Sequence, residues 1–160
     1  KVDDPFGSGS YHAIQAAAPD WVVIHALAGH RYGNVLFHPN RQLPEDLDLT
    51  ASRTTKNLVV TVEQMVSHER VRQSPYLNLI PRFRTTAIVE VPYGAHPFSC
   101  LHLYDQDREH LAYYAKTARD PDEFERYLGD YVYGVDTHDQ YLERIGAARL
   151  ARLRHVGGTL

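Results

Sequence analysis

Apolar residues in the first half of the chain fall into short, nearly unbroken runs rather than helical stripes. Trp21-Val22-Val23-Ile24-His25-Ala26-Leu27 is almost continuously apolar and rich in β-branched residues, as a strand buried on both faces is. A second apolar run, Asn34–His38, follows the turn Arg31-Tyr32-Gly33-Asn34. Asn57–Glu63 and Thr85–Val91 read as two further strands, the latter ended by Pro92. Between these runs, residues 3–10 read as loop, and Ser10 caps a predicted short helix over Tyr11–Ala18 that stops before Pro19. Residues 39–56 are polar and proline-bearing, with a short helix expected near Leu47–Arg53. Residues 64–84, carrying Pro75 and Pro81, are expected to be irregular.

The pattern changes after a long loop at 92–106, and helical periodicity takes over. Asp107–Ala118 places Leu111, Tyr114, Ala115 and Ala118 on one face. Asp120-Pro121-Asp122-Glu123 starts a helix with a cap, a proline at the first position and acids in the first turn. Phe124, Tyr127, Leu128, Tyr131 and Val132 then form one stripe, closed by Gly134. Thr137-His138-Asp139-Gln140 is a capping box for a last helix expected to run to about His155 and stop at Gly157-Gly158. Buried-type strands come first and helices last. The predicted fold is α/β: an open, mostly parallel or mixed sheet portion over 1–106, flanked by helices, with a helical C-terminal tail over 107–160 packing on the same domain.

Composition narrows the chemistry. The chain has 160 residues, 17 basic against 20 acidic, for a net charge of −3. That balance lacks the positive field of a nucleic-acid binder, so no nucleic-acid partner is expected. A single cysteine, Cys100, excludes an internal disulfide framework and a cysteine zinc site. No run of apolar residues is long enough for a membrane helix, and the first residues do not form a signal peptide. A cytoplasmic domain is expected, and the missing initiator Met points to a processed or truncated chain.

Ten histidines raise the question of a metal site, but their spacing does not support one, and no metal ligand is assigned. His68-Glu69 opens like a zincin helix, yet Arg72 stands where the second histidine belongs. Cys100 near His96 or His102 is a conceivable nucleophile pair, although a lone cysteine is more often a small buried hydrophobe. No G-x-S-x-G elbow, Walker loop or dinucleotide glycine pattern is present. Arg144, Arg149, Arg152 and Arg154 could meet phosphates, but they read better as cations solvating a helix C-terminus. The tail's tyrosines have Asp and Glu neighbours, which suits a packed core or subunit interface better than base stacking. Two loops follow strands, where ligands collect in open α/β sheets. They offer Tyr32, Gly33 and Asn34 in one and Tyr93, Gly94 and His96 in the other as pocket candidates.

Several segments resemble the α subunit of family I CoA-transferases. They are Pro19-Asp20-Trp21-Val22-Val23-Ile24-His25-Ala26 with Arg31-Tyr32-Gly33-Asn34-Val35, and Val59-Val60-Thr61-Val62-Glu63-Gln64-Met65-Val66. Ile80-Pro81-Arg82-Phe83 with Ala87–Pro97 is similar to the glutaconate CoA-transferase branch, as are Tyr104-Asp105, His110-Leu111 and Tyr127–Val135. The likeness covers roughly residues 3–146, and it is to the C-terminal part of a longer subunit. It implies CoA transfer between an acyl-CoA and a free carboxylic acid, through a glutamyl-CoA thioester on a β partner. Coenzyme A would be a substrate, and no cofactor would be permanently bound. The implied partners are that β subunit, the N-terminal half of the α subunit, or both, with acyl-CoA and carboxylate as substrates. No catalytic nucleophile is assigned to this chain, since the motifs around Glu63 and Glu90 are not the nucleophile's. The alternatives are a hydrolase of the same fold, of the steroid ring-opening type, and a non-catalytic structural subunit. If an N-terminal half is absent, part of the sheet should expose apolar surface.

Overall fold

The computed structural model describes residues 1–155. A short arm pairs β1 (Val2–Asp3) with β2 (Ser10–Tyr11) in antiparallel register. The main sheet contains β3 (Val22–His30), β4 (Val35–Leu36), β5 (Leu58–Val66), β6 (Asn78–Ile80) and β7 (Ala87–Glu90). Its spatial order is β6-β4-β3-β5-β7. β3, β5 and β7 are parallel neighbours, whereas β4 runs antiparallel to both β3 and β6. The sheet is therefore mixed, with helices around it, as the apolar runs imply.

Register decides what each face carries. Ile24 pairs with Val60 and Ala26 with Val62. These side chains enter one core with Val35, Phe37, Leu49, Leu58 and Ile80. Burying each large aliphatic chain there contributes about 1.5–3 kcal/mol. Leu49 comes from α1 (Leu43–Ala51), which begins where Gln42 N–H donates to Glu45 Oε2 at 2.9 Å. On the opposite face Val23, Val59 and Ala87 form one row and His25, Thr61 and Val89 the next. Val23 is 67% and Val89 49% exposed, so this face carries open apolar surface at the start of the strands.

Residues 64–84 are more ordered than the polar, proline-bearing sequence implies. β5 runs on to Val66, α2 (His68–Gln73) follows with Ser67 as its cap, and β6 joins the sheet. The tail contains α3 (Arg108–Thr117), α4 (Pro121–Leu128), α5 (His138–Ile145) and α6 (Ala147–Leu153). Asp107, Asp120 and Thr137 cap α3, α4 and α5 through their side chains. α4 continues into a wider π-type turn over Gly129–Tyr133, ending at Gly134.

Three further sequence expectations are corrected. Residues 12–19 form no helix, Ile14 is 90% exposed, and Ser10–Tyr11 pair with the first strand instead. An alanine run has helix propensity but no apolar stripe to pack, and short helices depend on packing. The last helix is not continuous: Gly146, at φ +93°, divides it into α5 and α6, and the expected stop at Gly157-Gly158 lies outside the described residues. Finally, α3 buries His110 and Thr117 rather than the Leu111/Tyr114 stripe, and Tyr114 stays 42% exposed. Both buried polar groups are hydrogen-bonded, His110 Nε2 to Tyr127 Oη at 2.9 Å and Thr117 Oγ1 to the Tyr114 carbonyl at 3.0 Å. Satisfied polar groups can occupy a core face.

Candidate functional site

Pairing of β3 with β5 sets His25 opposite Thr61, and Glu63 follows two residues on, facing the same way. His25 Nδ1 lies 2.8 Å from Thr61 Oγ1 and its Nε2 lies 2.6 Å from Glu63 Oε1. The chain leaving β7 turns back so that Tyr93 N–H donates to Glu63 Oε2 at 2.8 Å. Tyr93 holds φ +58°, a left-handed conformation uncommon for a side chain of that size. Tyr104 closes the group: its hydroxyl donates to Glu63 Oε1 at 2.6 Å and accepts from Ala95 N–H at 3.1 Å. Gly94 is needed beside it, since a Cβ there would meet His25 Cε1 at 2.7 Å and the Val91 carbonyl at 2.8 Å. Burial pushes the Glu63 carboxyl up, but the hydrogen bonds from His25, Tyr104 and Tyr93 outweigh it and hold the group below its usual range. Burial, together with the same carboxylate, drives the Tyr104 phenol far up.

Above Glu63 opens a cleft of about 740 Å³, lined in part by Met65, Arg70, Tyr93, Tyr104 and Arg154. It sits at the carboxyl end of β5 and under the loop after β7, where open α/β sheets bind ligands. Glu63 itself faces inward, with its side chain 9% exposed and both oxygens accepting hydrogen bonds. A smaller cavity of about 250 Å³ shares Val66 and Arg70 with the cleft and is walled by Leu27, Phe37 and Leu77.

The candidates from the second loop separate. Tyr93 lines the cleft, and Gly94 packs on His25 behind it. His96 is buried elsewhere, with Nδ1 2.6 Å from Tyr141 Oη and Nε2 3.2 Å from Asp107 Oδ2. Asp107 also accepts from Arg149 Nη2 at 2.7 Å and from His110 N–H at 2.9 Å. Burial raises that carboxyl, but Arg149 and these other donors hold it well below the usual carboxylate range. Arg149 is therefore an ion-pair partner rather than a solvated helix end. Burial lowers the affinity of His96 and His110 for a proton, against the pull of Asp107.

Tyr32, Gly33 and Asn34 do not line the cleft. Gly33 holds φ +95°, and its carbonyl accepts from Thr85 Oγ1 at 2.8 Å. Asn34 Oδ1 accepts from Arg82 N–H at 3.1 Å and from Asn78 Nδ2 at 3.2 Å, so this turn ties strands together. Tyr32 is 62% exposed, with the Arg31 guanidinium over its ring. Cys100 does not meet the expected histidines either. His96 is engaged as above, and His102 stacks on His38 at 3.5 Å. The thiol is pushed up to about 12 by burial and by Glu63 and Glu45, which leaves little nucleophilic thiolate at neutral pH. The His25, Glu63 and Cys100 donor atoms lie within 4.8 Å of one another, a constellation that spacing along the chain conceals.

Glu63 and His25 escape a search for local motifs because they are 38 residues apart. The available signal is a titratable residue set within each of two largely apolar strands, since buried charge needs a partner.

No family model matches the chain. It is 34% identical over 158 residues to the A subunit of glutaconate CoA-transferase from Acidaminococcus fermentans, covering 98% of this chain and 48% of that one. It is 26% identical over 148 residues to the A subunit of 3-oxoadipate CoA-transferase from Pseudomonas knackmussii, covering 92% and 50%. The crystal structure of the Acidaminococcus fermentans glutaconate coenzyme A-transferase superposes with a TM-score of 0.86, over 98% of this chain and 49% of that one. The chain spans about half the length of these curated relatives. Nearly the whole chain thus matches about half of a CoA-transferase A subunit, at 34% identity and on the same fold.

Proposed function

We propose that the chain works as part of a CoA-transferase A subunit, moving CoA between an acyl-CoA and a free carboxylic acid. The supporting observation is the match to the A subunit of glutaconate CoA-transferase in both sequence and fold. In this reading a glutamate carboxylate of a partner subunit's own attacks the thioester carbonyl and expels CoA thiolate, leaving a mixed anhydride. The thiolate then attacks the glutamyl carbonyl, releasing the free acid and leaving a glutamyl-CoA thioester. The acceptor acid reverses these steps and carries CoA away.

The residues described above suit a supporting role. Glu63 is turned inward with both oxygens engaged, and the Cys100 thiol is pushed up to about 12, so neither is presented as a nucleophile. Tyr93 and Tyr104 wall the cleft, and Glu63 fixes both of them. Their part is to shape the acyl site and keep water from the thioester. The open row at Val23 and Val89 is where the remaining length of the subunit would pack.

The test incubates the complete complex with acyl-CoA and measures each subunit's mass. A CoA adduct on the partner subunit, discharged only by an acceptor carboxylate, is expected. An adduct on this chain would overturn the placement of the nucleophile. Steady release of free acid without an acceptor would assign the hydrolase reaction instead.

A further inference from the structure

We propose that the cleft beside Glu63 binds an anionic group of the substrate, a carboxylate or phosphate oxyanion, through Arg70 and Arg154. This rests on the reading of the cleft as a substrate site. Its volume of about 740 Å³ falls in the range of small-molecule sites. Among its lining residues the only acid is Glu63, whose two oxygens already accept from Tyr104 and Tyr93, with His25 close against one of them. The two lining cations have no such partner: among the described residues, neither Arg70 nor Arg154 lies within 4 Å of a carboxylate.

Arg70 is fixed through its side chain, whereas Arg154 is exposed and is fixed through its backbone. Arg70 is half-buried, its backbone N–H donates to the cap Ser67, and its Nη1 lies 3.4 Å from Ser74 Oγ. Arg154 follows α6, where its backbone bridges to Tyr104. On either side of it, Asp105 N–H donates to the Leu153 carbonyl and His155 N–H to the Leu103 carbonyl, each at 2.9 Å. Its guanidinium stands 5.8 Å from the Tyr93 ring centroid, a cation–π placement. Guanidinium groups match carboxylate and phosphate geometry, and a held guanidinium loses less entropy on binding. Acyl-CoA substrates offer such oxyanions from two sources, a second carboxylate on the acyl chain or the phosphates of CoA.

The test is calorimetric titration of the full chain with glutarate and, separately, with inorganic pyrophosphate. At least one should bind, more weakly as salt is added. Arg70→Gln and Arg154→Gln should each weaken it at least 10-fold, and Arg154→Lys should lose less than Arg154→Gln. Arg152→Gln, which lines a different cavity, should change nothing. Binding of glutarate alone assigns the subsite to an acyl carboxylate, and binding of pyrophosphate alone assigns it to the phosphates of CoA. No binding of either, or binding untouched by both glutamine substitutions in chains that melt like the parent, overturns the proposal. The titration involves no turnover, so it stands or falls separately from the transferase assay.

Discussion

Glu63 in the sheet and Asp107 at the root of the helical tail are both buried carboxylates with a histidine at one oxygen. Their counter-charges differ. Asp107 has Arg149, a cation at any working pH. Glu63 has two neutral donors, Tyr104 and the Tyr93 backbone, and the His25 ring against one oxygen. The first is a permanent ion pair that locks helices. The second is a polar hub with no permanent cation beside it, and it borders the cleft.

Removing one member of a permanent buried pair leaves a charge behind, so Asp107→Ala should be the most damaging change, about 3–5 kcal/mol in urea unfolding. A loss under about 1 kcal/mol would mean that Arg149 finds water at no cost, and the contrast would collapse. Glu63→Ala strips the acceptor from Tyr104, Tyr93 N–H and His25, and about 2–3 kcal/mol is expected by the same measurement. Glu63→Gln should recover part of that loss, because one oxygen still accepts. Gly94→Ala forces a methyl against the His25 ring, and about 1–3 kcal/mol should be lost. If its unfolding midpoint matches the parent's, His25 is free to move and the hub is looser than described.

The smallest effect is graded with pH. The folded affinities of His96 and His110 for protons are reduced, so the stability they confer is complete above about 6.5 and falls as pH drops below it. The carboxylates act in a lower window. Glu63 and Asp107 contribute fully above about 4 and lose their contribution as pH falls through their folded values, Asp107 last. Thermal melts from about pH 8 to about pH 3 should therefore show a shallow first decline and a steeper second one. His96→Gln should flatten mainly the first, since His110 still carries part of it and Arg149 still holds Asp107.

Much of this architecture is legible in the sequence. The β-branched runs at 22–27 and 57–63 are strands because nothing polar interrupts their core-facing positions, and Asp120-Pro121 starts a helix because cap and proline act locally. Elements whose outcome depended on distant partners were not legible. Tyr11–Ala18 has propensity without a surface to meet, and α3 turns His110 inward because Tyr127, 17 residues away, satisfies it. Of the pocket candidates, Tyr93 reaches the cleft and Gly94 supports it, while His96 belongs to the Asp107 lock and Asn34 to a turn. Glu63 and Tyr104 come together across 41 residues, a distance that no short motif spans.

The kink at Gly146 decides where the chain can be cut. The seven residues of α6 carry Arg149 to Asp107 and present the Leu153 carbonyl to Asp105, and Arg154 directly after them reaches Tyr93. One short terminal segment thus fastens the lock in the tail and one wall of the cleft. A version trimmed after Ile145 would keep every strand and lose both fastenings at once. The useful boundary for a minimal piece lies beyond His155, whose N–H still holds Leu103.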